Sequence, residues 1–375
     1  MKPHKILCLI LVCAIAFSCK KNDDSNPDNP NPGAEADYSL LVSTSSGFRA
    51  ILLDADVDKL TLNPAQSGFP MNTVPNLNFK DGTVFSFYKE EGNCSATFLK
   101  FDFSDESATE MNLFSDLGTC ELTAYAIAHN GSRGYVAYGL DNGSTIDFFV
   151  RAFELDGTTT DFTDIPLTKR PVHLSFANNR LFVLTLDEEI TDENSLTVID
   201  AESNGVAIEI DLGYDAQKLI RNTDDNLIVS YDELHTLMNS ETLSPQYVQY
   251  QSGKEPEFVS STVNNFGDGS KMYFERPSGT HSEFSVIPAA YDFVSNLTTL
   301  YPFEGYLTKQ EREFEFEIET TTMVGYDKKN GYMLIGYKKL GQANKGGILR
   351  VRTGDDPAVI DNINIDGIPF NIIAM

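Results

Sequence analysis

The side chains in this sequence that could carry chemistry are few and scattered. Five histidines occur, His4, His129, His173, His235 and His281, and no two stand at the spacing a bound metal ion requires. His129 precedes an Asn-Gly pair and His281 sits in a polar stretch, so both are expected at the surface. Only His173 falls where a side chain could face an enclosed space. The run Asp54-Ala-Asp-Val-Asp58 has the alternating acids of a calcium loop but lacks its glycine and distal glutamate, and it reads as a solvated strand end. No GxSxG, HExxH or phosphate-loop pattern appears. The sequence therefore assigns no catalytic residue, no metal ligand and no cofactor.

The cations are more suggestive. The chain has 28 Lys+Arg against 55 Asp+Glu and a formal charge of −27. That balance excludes a nucleic-acid binder of the usual kind, which needs a basic face. Yet Lys169-Arg170, Lys218 with Arg221 beyond it, Lys254, and Lys309 with Arg312 fall in four successive connecting segments, accompanied by Tyr214, Phe258 and Tyr306. Cations around a rigid mouth with aromatic walls would suit an anionic ligand. The candidate binding set is Lys169, Arg170, His173, Tyr214, Lys218, Lys254 and Tyr306. The plainer alternative is that these cations pair with nearby acids such as Glu255 and Glu311.

The elements that must position these residues are strands. No helical period persists, and short β-rich runs recur between turns instead. The turns are Lys80-Asp-Gly82, Asn130-Gly131, Asn178-Asn179, Asp225-Asn226, Asp268-Gly269 and Asn330-Gly331. Such pairs suit two-residue hairpins, which need positive φ at both central positions. Each precedes a strand: 83–88, 134–139, 181–186, 227–232, 271–276 and 332–337. A further copy, Tyr38-Ser-Leu-Leu-Val-Ser-Thr44, has no hairpin partner before it. The unit returns at intervals of roughly fifty residues, the period of propeller blades. Four strands per repeat and seven repeats make an all-β, seven-bladed β-propeller over residues 38–375. The last apolar run, 369–375, is expected to supply the innermost strand that the first blade lacks, closing the ring and leaving no open edge. The segment Glu313-Phe-Glu-Phe-Glu-Ile-Glu319 alternates strictly and predicts an added strand or hairpin packed on the rim.

This pattern of hairpin turn, LxV-type strand and a strand such as Leu196-Thr-Val-Ile-Asp200 resembles the WD40-like and YVTN-type propellers at the level of architecture. Quinoprotein propellers carry tryptophan-containing docking motifs, and this chain has no tryptophan.

The N-terminus supplies an address. Met-Lys-Pro-His-Lys5 is followed by a mostly apolar run, residues 6–17, too short to span a bilayer and suited to a secretory signal. Ala16-Phe17-Ser18-Cys19 resembles a bacterial lipobox, although leucine is absent from the third position before the cysteine. The resemblance implies a signal peptide over 1–18, lipidation of Cys19, and a flexible Asn/Asp/Pro-rich tether over 19–37. Lysines and then acids directly after the cysteine resemble the export signal of Bacteroidota surface lipoproteins, implying the outer face of the outer membrane. Cys94 and Cys120 are the two cysteines left unmodified, and an isolated pair in an oxidising compartment is expected to be bridged. Their loops fall on one propeller face, and the bridge would contribute about 3–4 kcal/mol on the entropic account.

Together these features resemble the propeller lipoproteins that accompany TonB-dependent receptors. The expectation is a non-catalytic, lipid-anchored surface protein that captures a small anionic or aromatic ligand for an outer-membrane transporter. The alternatives are an interaction scaffold or adhesin using the same face, and a hydrolase or lyase with a dispersed site.

Overall fold

A β-turn chemistry repeated along the chain produces four-stranded antiparallel sheets, and the computed structural model contains seven of them. It describes residues 38–375 except 57–58, 93, 119–120, 158–160, 189, 259–264 and 268. The expectations for the signal peptide, Cys19 and the tether lie outside the described residues.

The first blade holds β1 (Tyr38–Thr44), β2 (Gly47–Ala55) and β3 (Leu60–Leu62). The second is β4 (Leu77–Asp81), β5 (Val84–Gly92), β6 (Ser95–Asp102) and β7 (Ser107–Leu113). The third is β8 (Glu121–His129), β9 (Arg133–Asp141), β10 (Ile146–Glu154) and β11 (Thr163–Leu167). The fourth is β12 (Arg170–Ala177), β13 (Arg180–Leu186), β14 (Asn194–Asp200) and β15 (Gly205–Gly213). The fifth is β16 (Lys218–Arg221), β17 (Leu227–Ser230), β18 (Leu234–Met238) and β19 (Pro245–Gln249). The sixth is β20 (Asn265–Phe266), β21 (Lys271–Pro277), β22 (Val286–Asp292) and β23 (Leu297–Leu300). The seventh is β24 (Ile318–Asp327), β25 (Tyr332–Lys339), β26 (Lys345–Arg352) and β27 (Ala358–Asp366). The last strand, β28 (Ile368–Ala374), leaves the seventh blade and pairs antiparallel with β1, Tyr38 opposite Ala374 and Leu40 opposite Ile372.

This is the expected seven-bladed β-propeller, closed by its C-terminal strand on the first blade. Strands from the two ends of the described chain share one sheet, so the first blade has its full four strands.

Apolar residues alternate along the middle strands and fill the spaces between blades. Phe85, Phe87, Phe101 and Phe103 pack with Leu41 and Ile373 between the first and second blades. Leu40, Val42 and Ile372 pack with Met323, Leu334 and Ile348 between the first and seventh. Two arginines are buried the same way on third strands. Arg151 on β10 meets Asp164 on β11, and Arg350 on β26 meets Asp361 on β27 at 2.8 Å. Arg151 also bonds Asp116 and lies 4.7 and 4.8 Å from the rings of Phe114 and Phe162. The rings enclose its guanidinium while the carboxylates neutralise it.

Three local expectations are corrected. Among the described residues only Asn178-Asn179 has both turn residues at positive φ, 46° and 56°. Turns such as Asp81-Gly82, Asn130-Gly131 and Asn330-Gly331 place a single glycine there, the geometry of a slightly longer loop with a left-handed residue. The alternating segment forms no added strand: Glu311–Glu315 is a single π-helical turn, and β24 begins only at Ile318. Phe314 is exposed there, whereas Phe316 and Ile318 pack against the blade core; once a helical turn forms, every second residue no longer shares one face. His129 is buried, not exposed. Its Nδ1 lies 2.7 Å from the Ser86 hydroxyl and its ring meets the Phe79 ring edge-on, because β8 runs through His129 before the chain turns.

Candidate functional site

The innermost strands of all seven blades, β28, β4, β8, β12, β16, β20 and β24, contribute to one cavity of about 820 Å³ on the ring axis. That volume is in the range of small-molecule sites. Its walls are mostly apolar or neutral, including Leu77, Phe79, Ile127, Leu174, Leu219, Phe266, Ile372 and Ile373.

Charged groups are set into this wall at chosen places. Lys80, near the end of β4, donates to the Asn371 side-chain oxygen at 3.3 Å and the Ile372 carbonyl at 3.5 Å, both on β28. Lys218, the first residue of β16, is buried. Glu275 stands on β21, and its carboxylate accepts the Val324 amide from β24 at 3.1 Å. Burial lowers Lys80 and Lys218 to about 8, with Glu275 opposing the shift in both. Burial raises Glu275 to about 7, opposed by backbone hydrogen bonds and by the two lysines. Glu275 therefore acts on both lysines, and both act on it.

At the hairpin end of the channel, Arg221 of β16 pairs with Asp81 of β4. The fifth and second blades are not neighbours in the ring, so this ion pair reaches across the channel. Asp225 adds a weaker contact to Arg221 at 3.7 Å. Lys218 and His173 lie toward the opposite end, where crossovers between blades converge. His173 follows a β-bulge between Pro171 and His173, a local irregularity that redirects side chains. Its buried Nδ1 has no hydrogen-bond partner among the described residues. Burial, reinforced by the Lys218 charge, lowers the imidazole to about 3, so it is neutral at pH 7.

Of the residues singled out from sequence, the structure brings together His173 and Lys218. Arg221 also lines the channel, and the rest of the candidate binding set lies outside its lining. Lys169 donates to the Ser195 hydroxyl at 2.6 Å and pairs with Glu209 at 2.8 Å. Arg170 pairs with Glu188 at 2.8 Å and sits over the Tyr125 ring. Tyr214 and Lys254 are exposed, and the Lys254 carbonyl accepts the Thr298 hydroxyl. Tyr306 packs against the sixth-to-seventh blade core, with its hydroxyl buried. Phe258 is buried against Phe274 and Tyr291.

Lys80 and Glu275 were missed from sequence. Lys80 read as a turn residue and Glu275 as one member of the strand run 271–276. A charge inside an otherwise apolar strand was the available signal. Among the described residues no group of histidine, cysteine or acidic side chains is arranged to hold a metal ion.

Fold comparison places the chain among β-propellers of very different sequence. A puromycin hydrolase, solved as a complex, matches with TM-score 0.51 and 10% identity, over 89% of this chain and 53% of that one. The dihydro-heme d1 dehydrogenase NirN, also solved as a complex, matches with TM-score 0.50 and 12% identity, over 92% and 77%. Hsv2 of Kluyveromyces lactis gives 0.48 and 10%, over 87% and 95%. At such identities the likeness is one of fold alone. No family model matches the chain, and comparison with curated proteins finds no match. The class is thus a seven-bladed β-propeller.

Proposed function

We propose that this protein is a lipid-anchored, surface-exposed binding protein that holds a small anionic ligand in its axial channel. It acts without catalysis and hands the ligand to an outer-membrane transporter of the TonB-dependent kind. The observation that carries the reading is the placement of two buried lysines, Lys80 and Lys218, in the lining of one mostly apolar cavity. Burying ammonium groups is costly, and a bound anion offsets that cost. The N-terminal lipobox-like sequence supports the anchoring, and the crossover end of the channel supplies the mouth.

The test is native mass spectrometry of protein purified from its own host, followed by calorimetric titration with the co-purifying compound. Lys218→Met and Lys80→Met should each abolish retention of that compound while leaving the melting temperature high. A ligand retained equally by both variants, or turnover by the purified protein, overturns the reading.

A further inference from the structure

A second cavity, of about 320 Å³, lies between the second and third blades, away from the axis. It is lined by Tyr88 and Phe114, by the apolar side chains Leu122 and Ile146, and by Tyr125, whose ring also faces the channel. Tyr125 is the extra residue of a β-bulge in β8, between Ala124 and Ala126, which turns it into the space between the two cavities.

The rim of this cleft is acidic in an uneconomical way. Glu121 and Asp141 are directly opposite each other in the β8–β9 register, and Glu90 lines the same cavity from β5. Like charges directly opposite on neighbouring strands destabilise a sheet. None of the three forms an ion pair among the described residues; Asp141 accepts only the Gly143 amide of its own turn. The nearby cations are already committed, Arg170 to Glu188 and Arg151 to Asp116 and Asp164.

Beneath the rim, Tyr88 is fully buried, and its hydroxyl has no hydrogen-bond partner among the described residues. An unmet buried hydroxyl is costly unless something supplies the missing bond.

We infer that this cleft between the second and third blades binds an organic ammonium ion. The ammonium N–H groups would bond Glu121, Asp141 and the Tyr88 oxygen, and the organic part would lie against Leu122, Ile146 and the Tyr125 ring. A bare metal ion is a poor fit, because the acids line a cleft wide enough for several heavy atoms and form no chelating group. This inference does not rest on the anion reading of the channel and can stand or fall separately.

The probe is 2-phenylethylammonium, titrated calorimetrically into the full-length protein, with neutral 2-phenylethanol and calcium as comparators. Binding is expected with a dissociation constant of about 1 mM or tighter, weakening with added salt. Glu121→Gln and Tyr88→Phe should each weaken it at least about fivefold, and Glu121→Gln should raise the melting temperature of the ligand-free protein. Asp141→Asn serves as a second rim variant should Glu121→Gln fold poorly. Absence of binding, equal affinity for 2-phenylethanol, tighter binding of calcium, or affinity unchanged in the rim variants overturns the assignment.

Discussion

The Tyr38 hydroxyl donates to the Asp327 carboxylate at 2.6 Å, tying the strand that opens the propeller to the last residue of β24 in the seventh blade. Asp327 also accepts from the Asn330 side chain at 2.7 Å, so the contact is part of a small buried network beside the closure strand. The ring therefore closes twice at the same seam, through the β1–β28 backbone ladder and through this side-chain bond.

Deleting residues 369–375 removes the innermost strand of the first blade and uncovers Leu41, Val42 and their neighbours. A steep fall in melting temperature or aggregation is expected. Tyr38→Phe is much milder, about 1–2 kcal/mol, because Asp327 keeps its bonds to Asn330. A truncated protein that melts with the parent would refute closure by β28. Chemical denaturation of both variants measures the contrast.

Arg151 is fully buried while its partners Asp116 and Asp164 are partly exposed. Arg151→Ala should cost about 3–5 kcal/mol, from lost packing between two rings as much as from lost charge. Asp116→Asn should cost no more than about 1 kcal/mol, since Asp164 still holds the guanidinium. Equal losses would show that charge pairing, not enclosure, dominates.

Acid should weaken the fold. Burial depresses His129 and His173 to about 3 and His235 to about 4. Below about pH 6.5 the unfolded chain takes up these protons first, so stability present above that value is lost as pH falls toward 4. Glu275, raised to about 7, acts in the opposite sense between 4.5 and 7, but it is one group against three. His129→Leu should flatten the slope by up to about 1.4 kcal/mol per pH unit. Urea midpoints measured from pH 7.5 to 4.5 give the slope directly.

Glu275→Gln should strengthen binding of a channel anion by about tenfold, because it removes a negative charge that acts on both Lys80 and Lys218. The glutamine oxygen can still accept the Val324 amide, so the blade contact survives. Weaker binding in this variant would argue that Glu275 itself touches the ligand.

Cys94 is buried in the turn between β5 and β6, at a positive φ of 56°, and Cys120 lies outside the described residues. The proposed bridge between them is checked by peptide mapping without reductant. Cys94→Ser should then lower stability by about 3–4 kcal/mol, and a free thiol at Cys94 in the mapped peptide would remove the proposal.

The sequence by itself determined the architecture. Turn pairs such as Asn178-Asn179 and the apolar strands after them are local signals, written in residues that sit next to one another, and their period counts the blades. The unpartnered first copy and the apolar tail 369–375 even indicated how the ring closes. Location along the chain also identified His173 as a residue that could face an enclosed space, and set Lys218 among the cations of the connecting segments. Only the tertiary structure decided the site. Lys80, Lys218 and Glu275 come from three blades, and Glu275 acts on both lysines because ring closure brings distant strands near one axis, a juxtaposition that no local spacing records. The same holds for Lys169 and Arg170, which the fold pairs with Glu209 and Glu188, and for His129, buried by the depth of a strand whose end the turn chemistry did not mark. Local propensity specifies elements, whereas burial and charge partners depend on which elements the ring makes neighbours.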